Sequence, residues 1–586
     1  MKILVIHPDD DAQSAPWSSV AWDRIVDLGL TGEKSYEAWT DRFHCPVTTL
    51  TSLQTGSEPL RQVRRLMNLG GGRLMDEHGL DWWELLSIMV HRELETFVRL
   101  RQFVETLGAA DELHVSRPGL HASLLKYLLP HRVNVFGQMQ VGRKNTLSHY
   151  LQACRRLSAS QIVDVLCDKY DPGYQFRGRL MRKSKAGQGP VVLLPSAYVN
   201  VSRTGIAYAN TFPDENFLLV VTRRSGWMQP LPHNVTSAWL SHYASLRDRR
   251  NETESMQRKW RALLNELKEV PEFEALHSLG CLDLFPLWLK RGFEVRDAWL
   301  NVLDSEPVQG VLCADDSNPY TRIPLLLGQV RGLPNIACHH GALDGRYFFK
   351  RLHADVIWVK GRMEEDYMVS KCGVPSEKVE IAAPAFAENR SGASTRQGDG
   401  SHILFLSELY EDAGGRAHQF YRDLLPSLAE LALATGRKLT VKLHPAESKR
   451  GRTRMIDGIL RGEQRRAVRI VSGPLTEDLL ARAWFGITIL STVAMECAIR
   501  GIPCFLCKWL DSGPYGYVDQ FIRFQVGIGL NDPSEIARIP DYLRNHSVSV
   551  TVRENCWRPA PVGRLHELLR FGTAGVGNDC VLSHHN

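Results

Sequence analysis

From residue 402 to residue 507, short apolar runs alternate with amphipathic stretches, and no hairpin-type turn joins one apolar run to the next. This alternation restricts the chain more than any single motif does. Antiparallel strands can be joined by two-residue turns, whereas parallel strands need a long crossover, usually a helix. The runs HILFLS (402–407), KLTVKLHP (438–445), AVRIVSG (467–473), FGITIL (485–490) and IPCFLC (502–507) read as strands. YRDLLPSLAELALATG (421–436), with apolar residues at 3–4 spacing and a stop at Gly436, reads as a helix. So do LTEDLLARA (475–483), begun by Thr476 or by the Gly473-Pro474 turn, and VAMECAIR (493–500). The expected product is a parallel sheet wrapped in helices, a Rossmann-like domain.

The N-terminal part follows the same grammar less regularly. Strand candidates are KILVI (2–6), ELHVS (112–116), VVLLP (191–195), FLLVVT (217–222), GVLCA (310–314), NIACHH (335–340) and DVIWVK (355–360). Helical insertions lie between them, notably 82–108 and 253–270. The stretch 388–401 is polar, rich in Gly and Ser and without aliphatic residues, so it reads as a linker. A chain of 586 residues exceeds one core. The expected fold class is α/β, with an N-terminal Rossmann-like domain over 1–390, carrying helical insertions, and a C-terminal one over 391–586.

Composition narrows the class. Hydrophobic residues make up 44% and charged residues 23%, ordinary for a globular protein. No apolar run approaches the ~18–20 residues of a membrane helix, and MKILVIHPDDD reads as a first strand, not a signal peptide. The twelve cysteines have no framework spacing, and many sit in apolar surroundings, so they read as reduced thiols of a cytoplasmic protein. The one CxxC, Cys504 to Cys507, lies in an apolar strand with no second pair nearby, which favours structural filling over zinc or redox chemistry.

The net charge of +6 is clustered in KRGRTR (449–454), EQRRAVR (463–469), RLMRKSK (179–185) and RDRR (247–250). These are either solvated faces or attractors of phosphate, on a nucleotide or on the inner face of a membrane. Nucleic acid is not expected as a partner, since no module with interleaved aromatics is present. Walker A, GxGxxG, HExxH and GxSxG patterns are absent, which disfavours P-loop ATPases, dinucleotide oxidoreductases and serine hydrolases.

Three stretches carry candidate chemistry. In ITILSTVAMECAIRGIP (487–503) an apolar strand runs into Ser491-Thr492 at a helix start. Free N–H groups and the helix dipole there suit an anion. Glu496, one turn deeper, can accept from ribose hydroxyls. The competing reading is an ordinary serine cap and an exposed glutamate. In VKLHPAES (441–448), His444 ends a strand, with Lys442 two residues back and the basic run just beyond. An imidazole there can meet a leaving phosphate, or it can simply cap a turn. In CHHGALDGRYF (338–348), His340 precedes Gly341, and upstream VLCADDSNPYTR (311–322) ends a strand in Asp315 and Asp316. A His–Asp pair is a general-base arrangement, unless one of the acids caps the following helix.

In this order the stretches resemble the two-Rossmann glycosyltransferases called GT-B, in particular bacterial capsule and lipopolysaccharide transferases, polysialyltransferases and CDP-glycerol glycerophosphotransferases. The matching elements are His340-Gly341, GVPSEKVEIAAPA (373–385), His444-Pro445, Ser491-Thr492 with Glu496, and Gly501-Ile502-Pro503, over about residues 310–510. The resemblance implies two domains facing across a cleft. It implies metal-independent transfer of a sugar or polyol phosphate from a nucleotide-activated donor to a glycan or lipid-linked acceptor, with no cofactor beyond the donor. His444, Lys442, Ser491, Thr492 and Glu496 would hold the donor. His340, Asp316 or Asp315 would take the acceptor proton. Expected alternatives are a nucleotide-sugar 2-epimerase, which shares the fold, and a non-catalytic GT-B-like binding protein. The expected location is the cytoplasm, with peripheral contact at the inner membrane face.

Overall fold

The computed structural model describes residues 1–7, 10, 12, 16–28, 37–50, 58–136, 189–223, 226–228, 230–245, 247–385, 400–408, 417–444, 447–473, 475–510, 515–545 and 554–571. The linker 388–399 and the basic run 179–185 lie outside them. Three parallel sheets form the framework.

The first sheet joins β1 (Lys2–Ile6), β2 (Arg24–Asp27), β3 (Val47–Thr49), β4 (Glu112–Val115) and β5 (Val133–Val135) in the order β3-β2-β1-β4-β5. The second joins β6 (Val191–Ser196), β7 (Phe217–Val221), β8 (Val235–Trp239), β9 (Val308–Cys313), β10 (Asn335–Cys338), β11 (Val356–Val359) and β12 (Val379–Ile381), ordered β12-β11-β10-β9-β6-β7-β8. The third joins β13 (His402–Leu406), β14 (Lys438–Lys442), β15 (Val468–Val471), β16 (Ala483–Thr488), β17 (Cys504–Cys507) and β18 (Ile528–Leu530), ordered β15-β14-β13-β16-β17-β18. The second and third are Rossmann-like. In each, the first strand sits centrally and the chain reverses its direction of growth beside it. Strands β6, β7 and β13 are buried at every position, as continuous apolar runs in helix-covered parallel sheets should be.

The stretch 1–390, read from sequence as one domain, therefore contains two separate sheets. The chain divides into two compact units. One takes the described parts of Met1–Gln62, Glu93–Ile162 and Ser394–Cys556, and the other the described parts of Val63–Arg92, Val163–Ala393 and Trp557–Asn586. The boundary expected at 390 also misplaces the chain's last described segment. Leu565 and Leu568, on the helix Arg564–Phe571, enter the core of the second sheet with Tyr208 and Trp358. Arg564 pairs with Glu380 at 2.7 Å, and Trp557 Nε1 donates to the Pro384 carbonyl at 2.9 Å. The physical reason is that β12 ends the sheet, and its neighbours Ala383 and Pro559 pair as a bridge.

The long insertion expected over 82–108 is two helices, Trp82–Ser87 and His91–Glu105. The helix expected at 253–270 is Arg250–Leu267. The helix Phe285–Ser305 sets a fully buried Arg296 against its own Asp297, Glu252 of Arg250–Leu267 and Asp76, satisfying a charge that could not otherwise leave water. Arg249 pairs with Asp297 at 2.6 Å and Arg247 with Glu77 at 3.2 Å, so part of the basic run 247–250 is matched within the protein. Among the described residues, no helix is long and apolar enough to cross a membrane.

Candidate functional site

In an open parallel sheet, ligands bind beyond the carboxyl ends of the strands where the strand order reverses. In the second sheet that point lies between β6 and β9. Chain continuing from β6 supplies Tyr198, chain continuing from β9 supplies Asp315 and Asp316, and β10 continues into His339-His340-Gly341.

Tyr198 stands between the histidine and the acid that the sequence reading paired directly. Its hydroxyl donates to Asp315 Oδ2 and lies 3.4 Å from His340 Nε2. Burial lowers the pKa of the His340 imidazole, with Asp315 opposing, so the ring is neutral near pH 7. Burial and Asp315 raise the Tyr198 phenol, which stays protonated. The cluster thus has a hydrogen-bonded order of carboxylate, phenol and neutral imidazole. Arg346 adds a cation 3.7 Å from Asp315 and donates through Nε to Asp344 at 2.8 Å.

Asp316 is placed differently. It is 1% exposed and bonded to Lys350 Nζ at 2.5 Å and to the Tyr347 hydroxyl at 3.2 Å. Lys350 also reaches Asp344 and the Ser317 hydroxyl, each at 2.8 Å. Burial opposes ionisation of Asp344, but Arg346, Lys350 and His339 outweigh it and hold its carboxyl well below the usual range. Asp316 is therefore committed to a buried ion cluster beneath the site and is not open to an acceptor. Nor does either acid cap the next helix. Asn318 does, accepting from the Tyr320 amide at 3.0 Å, while Asp315 accepts from the Ser317 amide.

The His-His-Gly turn has its own cause. A Cβ on Gly341 would fall 2.6 Å from His339 Cε1, so glycine is needed where the chain folds over that ring. Lys360 Nζ donates to the carbonyls of His339 and Gly341 at 2.7 and 2.8 Å and pins the turn from below.

In the third sheet the reversal lies between β13 and β16. Two carboxylates, neither singled out from sequence, organise its strand ends. Glu408, two residues beyond β13, accepts from the Leu490 amide at 2.8 Å and contacts the Thr488 hydroxyl at 2.6 Å. Burial pushes its carboxyl up, opposed by hydrogen bonds from Thr488 and from backbone amides of the same turn. Glu447 accepts from the His444 amide at 2.7 Å, the Ser407 hydroxyl at 2.9 Å and Arg452 Nε at 2.6 Å. Arg452 is thus the buried, structural member of the basic run 449–454, while Lys449, Arg450 and Arg454 are exposed.

Sequence reasoning gave the N–H groups at this helix start to a donor phosphate. The structure uses them internally. Leu490 serves Glu408, Val493 bonds weakly to the Ser491 hydroxyl at 3.4 Å, and Ala494 and Met495 bond the carbonyls of Ser491 and Thr492 at 3.0 Å. The helix itself, Val493–Ile499, is short, and Thr492 makes no side-chain cap. Ser491, Thr492 and Glu496 are half-buried, so side chains rather than amides are what this turn offers a ligand. His444 is half-buried at the end of the neighbouring strand, and Lys442 is buried, donating to the Leu443 carbonyl. The signal for Glu408 was an acid directly after an apolar strand, and for Tyr198 an aromatic in the same place.

Cys504 and Cys507 are buried on β17, where burial raises the thiol of Cys507, and a hydrogen bond with Cys497 followed by burial raises that of Cys504.

No family model matches the chain, and no curated protein matches it. Solved structures with a similar course include three enzymes. The UDP-GlcNAc 2-epimerase of Methanocaldococcus jannaschii, in complex with UDP-GlcNAc and UDP, is 12% identical with a TM-score of 0.40, over 66% of this chain and 100% of that one. The calicheamicin glycosyltransferase CalG4 is 10% identical at 0.35, over 64% and 93%. A glycosyltransferase from Rickettsia africae ESF-5 is 10% identical at 0.36, over 63% and 92%. At these values the likeness assigns neither a substrate nor an activity to this chain.

Proposed function

We propose that the chain is a nucleotide-sugar-dependent transferase, moving a sugar or polyol phosphate to an acceptor hydroxyl in cell-surface polysaccharide synthesis. The observation that carries this reading is the neutral His340 imidazole at the reversal point of the second sheet, ordered by Tyr198 and Asp315. A neutral, positioned imidazole is what accepting a hydroxyl proton requires.

In this reading the donor belongs to the third sheet. The hydroxyls of Ser491 and Thr492, with His444, contact its phosphates, and Glu496 accepts from the ribose. The acceptor oxygen attacks the donor's reacting carbon, its proton passes to a His340 ring nitrogen, and the carbon–oxygen bond breaks with its electron pair leaving on the nucleotide phosphate. For a polyol phosphate the attack falls on phosphorus instead, with the nucleoside phosphate leaving. Asp315 serves through Tyr198, as a positioning residue for the ring.

The test is incubation of the full chain with a panel of nucleotide sugars and CDP-glycerol. Nucleotide released only when an acceptor glycan is added supports transfer. A sugar epimerised at carbon 2 without acceptor replaces this reading with an epimerase. Binding without turnover replaces it with a binding protein.

A further inference from the structure

We propose that the groove between the helices Trp82–Ser87, Phe285–Ser305 and Pro319–Val330 is a docking site for a lipid phosphate, with the hydrocarbon chain laid in the groove and the phosphate held by Arg291 and Arg223. That this lipid is the acceptor of the transfer rests on the nucleotide-sugar reading above; the docking site itself does not.

The groove follows from how the helices meet. A Cβ on Gly292 would fall 2.1 Å from Trp82 Cζ3, so Phe285–Ser305 approaches the Trp82 indole as closely as a bare backbone allows. Trp82, Leu86, Trp288, Val295, Tyr320 and Ile323 form the walls, and Arg291 adds its aliphatic stem. The space is about 360 Å³, its open mouth included, which suits one slender chain. The apolar line runs on past the groove. Residues three or four apart share a helix face, so Leu284 and Leu287 lie one turn before Trp288 and Arg291. They are 50% and 63% exposed. At 1.5 Å per residue the line from Leu284 to Val295 is about 16 Å long. Exposed apolar surface that is continuous in this way marks a binding surface.

One end of the groove is cationic. The Arg223 guanidinium lies 4.8 Å over the Tyr320 ring, and Arg291 lies beside the Tyr320 phenol. Arg291 Nη1 donates to Glu294 at 2.6 Å, and Lys290 next to it is exposed. Guanidinium groups recognise phosphate oxygens through paired N–H donors. An apolar line that ends in two arginines is complementary to one hydrocarbon chain that ends in a phosphate. A neutral lipid or an apolar peptide would leave the guanidiniums without an anion.

The arginine end belongs with the base cluster. Arg223 follows β7 and Asp315 follows β9, both at the carboxyl ends of the second sheet. Tyr320 is five residues beyond Asp315, and Trp299 Nε1 fixes its turn by donating to its carbonyl at 2.9 Å. In the transfer reading the lipid is the carrier of the acceptor. Its chain fills the groove, its phosphate meets the arginines, and a hydroxyl of its headgroup reaches His340.

Calorimetric titration of the full chain with dodecyl phosphate, below its micelle concentration, tests the site. Dodecyl maltoside supplies the same tail without an anion, and inorganic phosphate supplies the anion without a tail. Dodecyl phosphate should bind at least tenfold more tightly than either, the worth of about 1.4 kcal/mol. Leu284→Ser with Leu287→Ser should weaken it by about three- to tenfold through lost apolar contact. Arg223→Gln with Arg291→Gln should reduce it to the level of the maltoside. Both leucines are exposed, so their replacement leaves the fold intact, and circular dichroism checks both variants. Equal binding of dodecyl maltoside overturns the phosphate end. Equal binding of inorganic phosphate overturns the groove, and no binding of dodecyl phosphate overturns both. A chain that dimerises through Leu284 and Leu287 and binds no dodecyl phosphate makes this face a self-association surface instead. UDP titration of the same protein keeps the two readings apart. UDP bound without dodecyl phosphate leaves the donor assignment standing and removes the lipid site. Dodecyl phosphate bound without UDP or any nucleotide sugar of the panel leaves the lipid site and removes its role as acceptor.

Discussion

The phenol ring of Tyr198 meets the imidazole of His340 edge-on, with centroids 5.3 Å apart and planes at 87°. Its hydroxyl is bound to Asp315 and lies 3.4 Å from His340 Nε2. Tyr198→Phe keeps the ring contact and removes the link. Turnover should fall about three- to thirtyfold, less than on loss of the histidine, because a hydrogen bond to a charged group is worth about 1.5–3 kcal/mol at most and only part of it acts on the ring. UDP affinity should be unchanged. Steady-state release of nucleotide, with UDP affinity measured separately, checks both.

His340→Asn should keep UDP affinity and lower turnover by about two to four powers of ten, the usual worth of a positioned proton acceptor. The pH profile gives a second reading. Burial lowers the imidazole's pKa, so its base form persists below the ordinary value of 6.5. The acid limb of turnover should therefore lie below pH 6.5 and vanish in the residual activity of His340→Asn. A native-rate His340→Asn would make the residue structural.

Ser491→Ala and Thr492→Ala together should weaken UDP binding without unfolding the chain, each hydrogen bond to a phosphate contributing about 1.5–3 kcal/mol. His444→Ala should weaken donor binding and slow departure of the nucleotide together, and so move affinity and turnover in step. Calorimetry and single-turnover release measure these, and unchanged affinity in a folded double variant removes the donor assignment.

Asp344→Asn should be costly to stability. It leaves Lys350 and Arg346 partly unmatched in a buried cluster, a loss of about 3–5 kcal/mol. The sign with pH follows from its lowered carboxyl. The stabilisation is present above the unfolded value of about 3.9 and is lost as pH falls through the folded value. Urea unfolding should show the native chain's advantage over Asp344→Asn constant from pH 7 to pH 5 and shrinking only below about pH 4. An advantage that disappears by pH 6 would contradict the cluster's charge state.

What was legible in the sequence follows the locality of each cause. Strands such as Lys2–Ile6 and Phe217–Val221 were readable because a buried strand in a parallel sheet is a continuous apolar run. Arg24–Asp27, Val47–Thr49 and Val133–Val135 were not, being three or four residues long with polar positions. Without them the first sheet merged into the second, because pairing of Lys2–Ile6 with Glu112–Val115 is a long-range choice that leaves no local mark. That His340, Asp315 and Ser491 lie just beyond strand ends could be read since strand ends and turns are local. That Asp316 faces Lys350, or that Glu408 holds Leu490, depends on residues 34 and 82 positions apart, and only folding brings them together.

The return of residues 564–571 to the second sheet sets a timetable for synthesis. β12 ends at Ile381, yet Leu565 and Leu568, which complete that sheet's core, follow only after the whole third sheet has been made. At about 5–20 residues per second, the ribosome leaves the apolar patch uncovered for about 10–40 s. The second sheet thus waits on residues 564–571, and a nascent chain stalled anywhere in the third sheet would present a chaperone-binding surface where the finished protein has a helix.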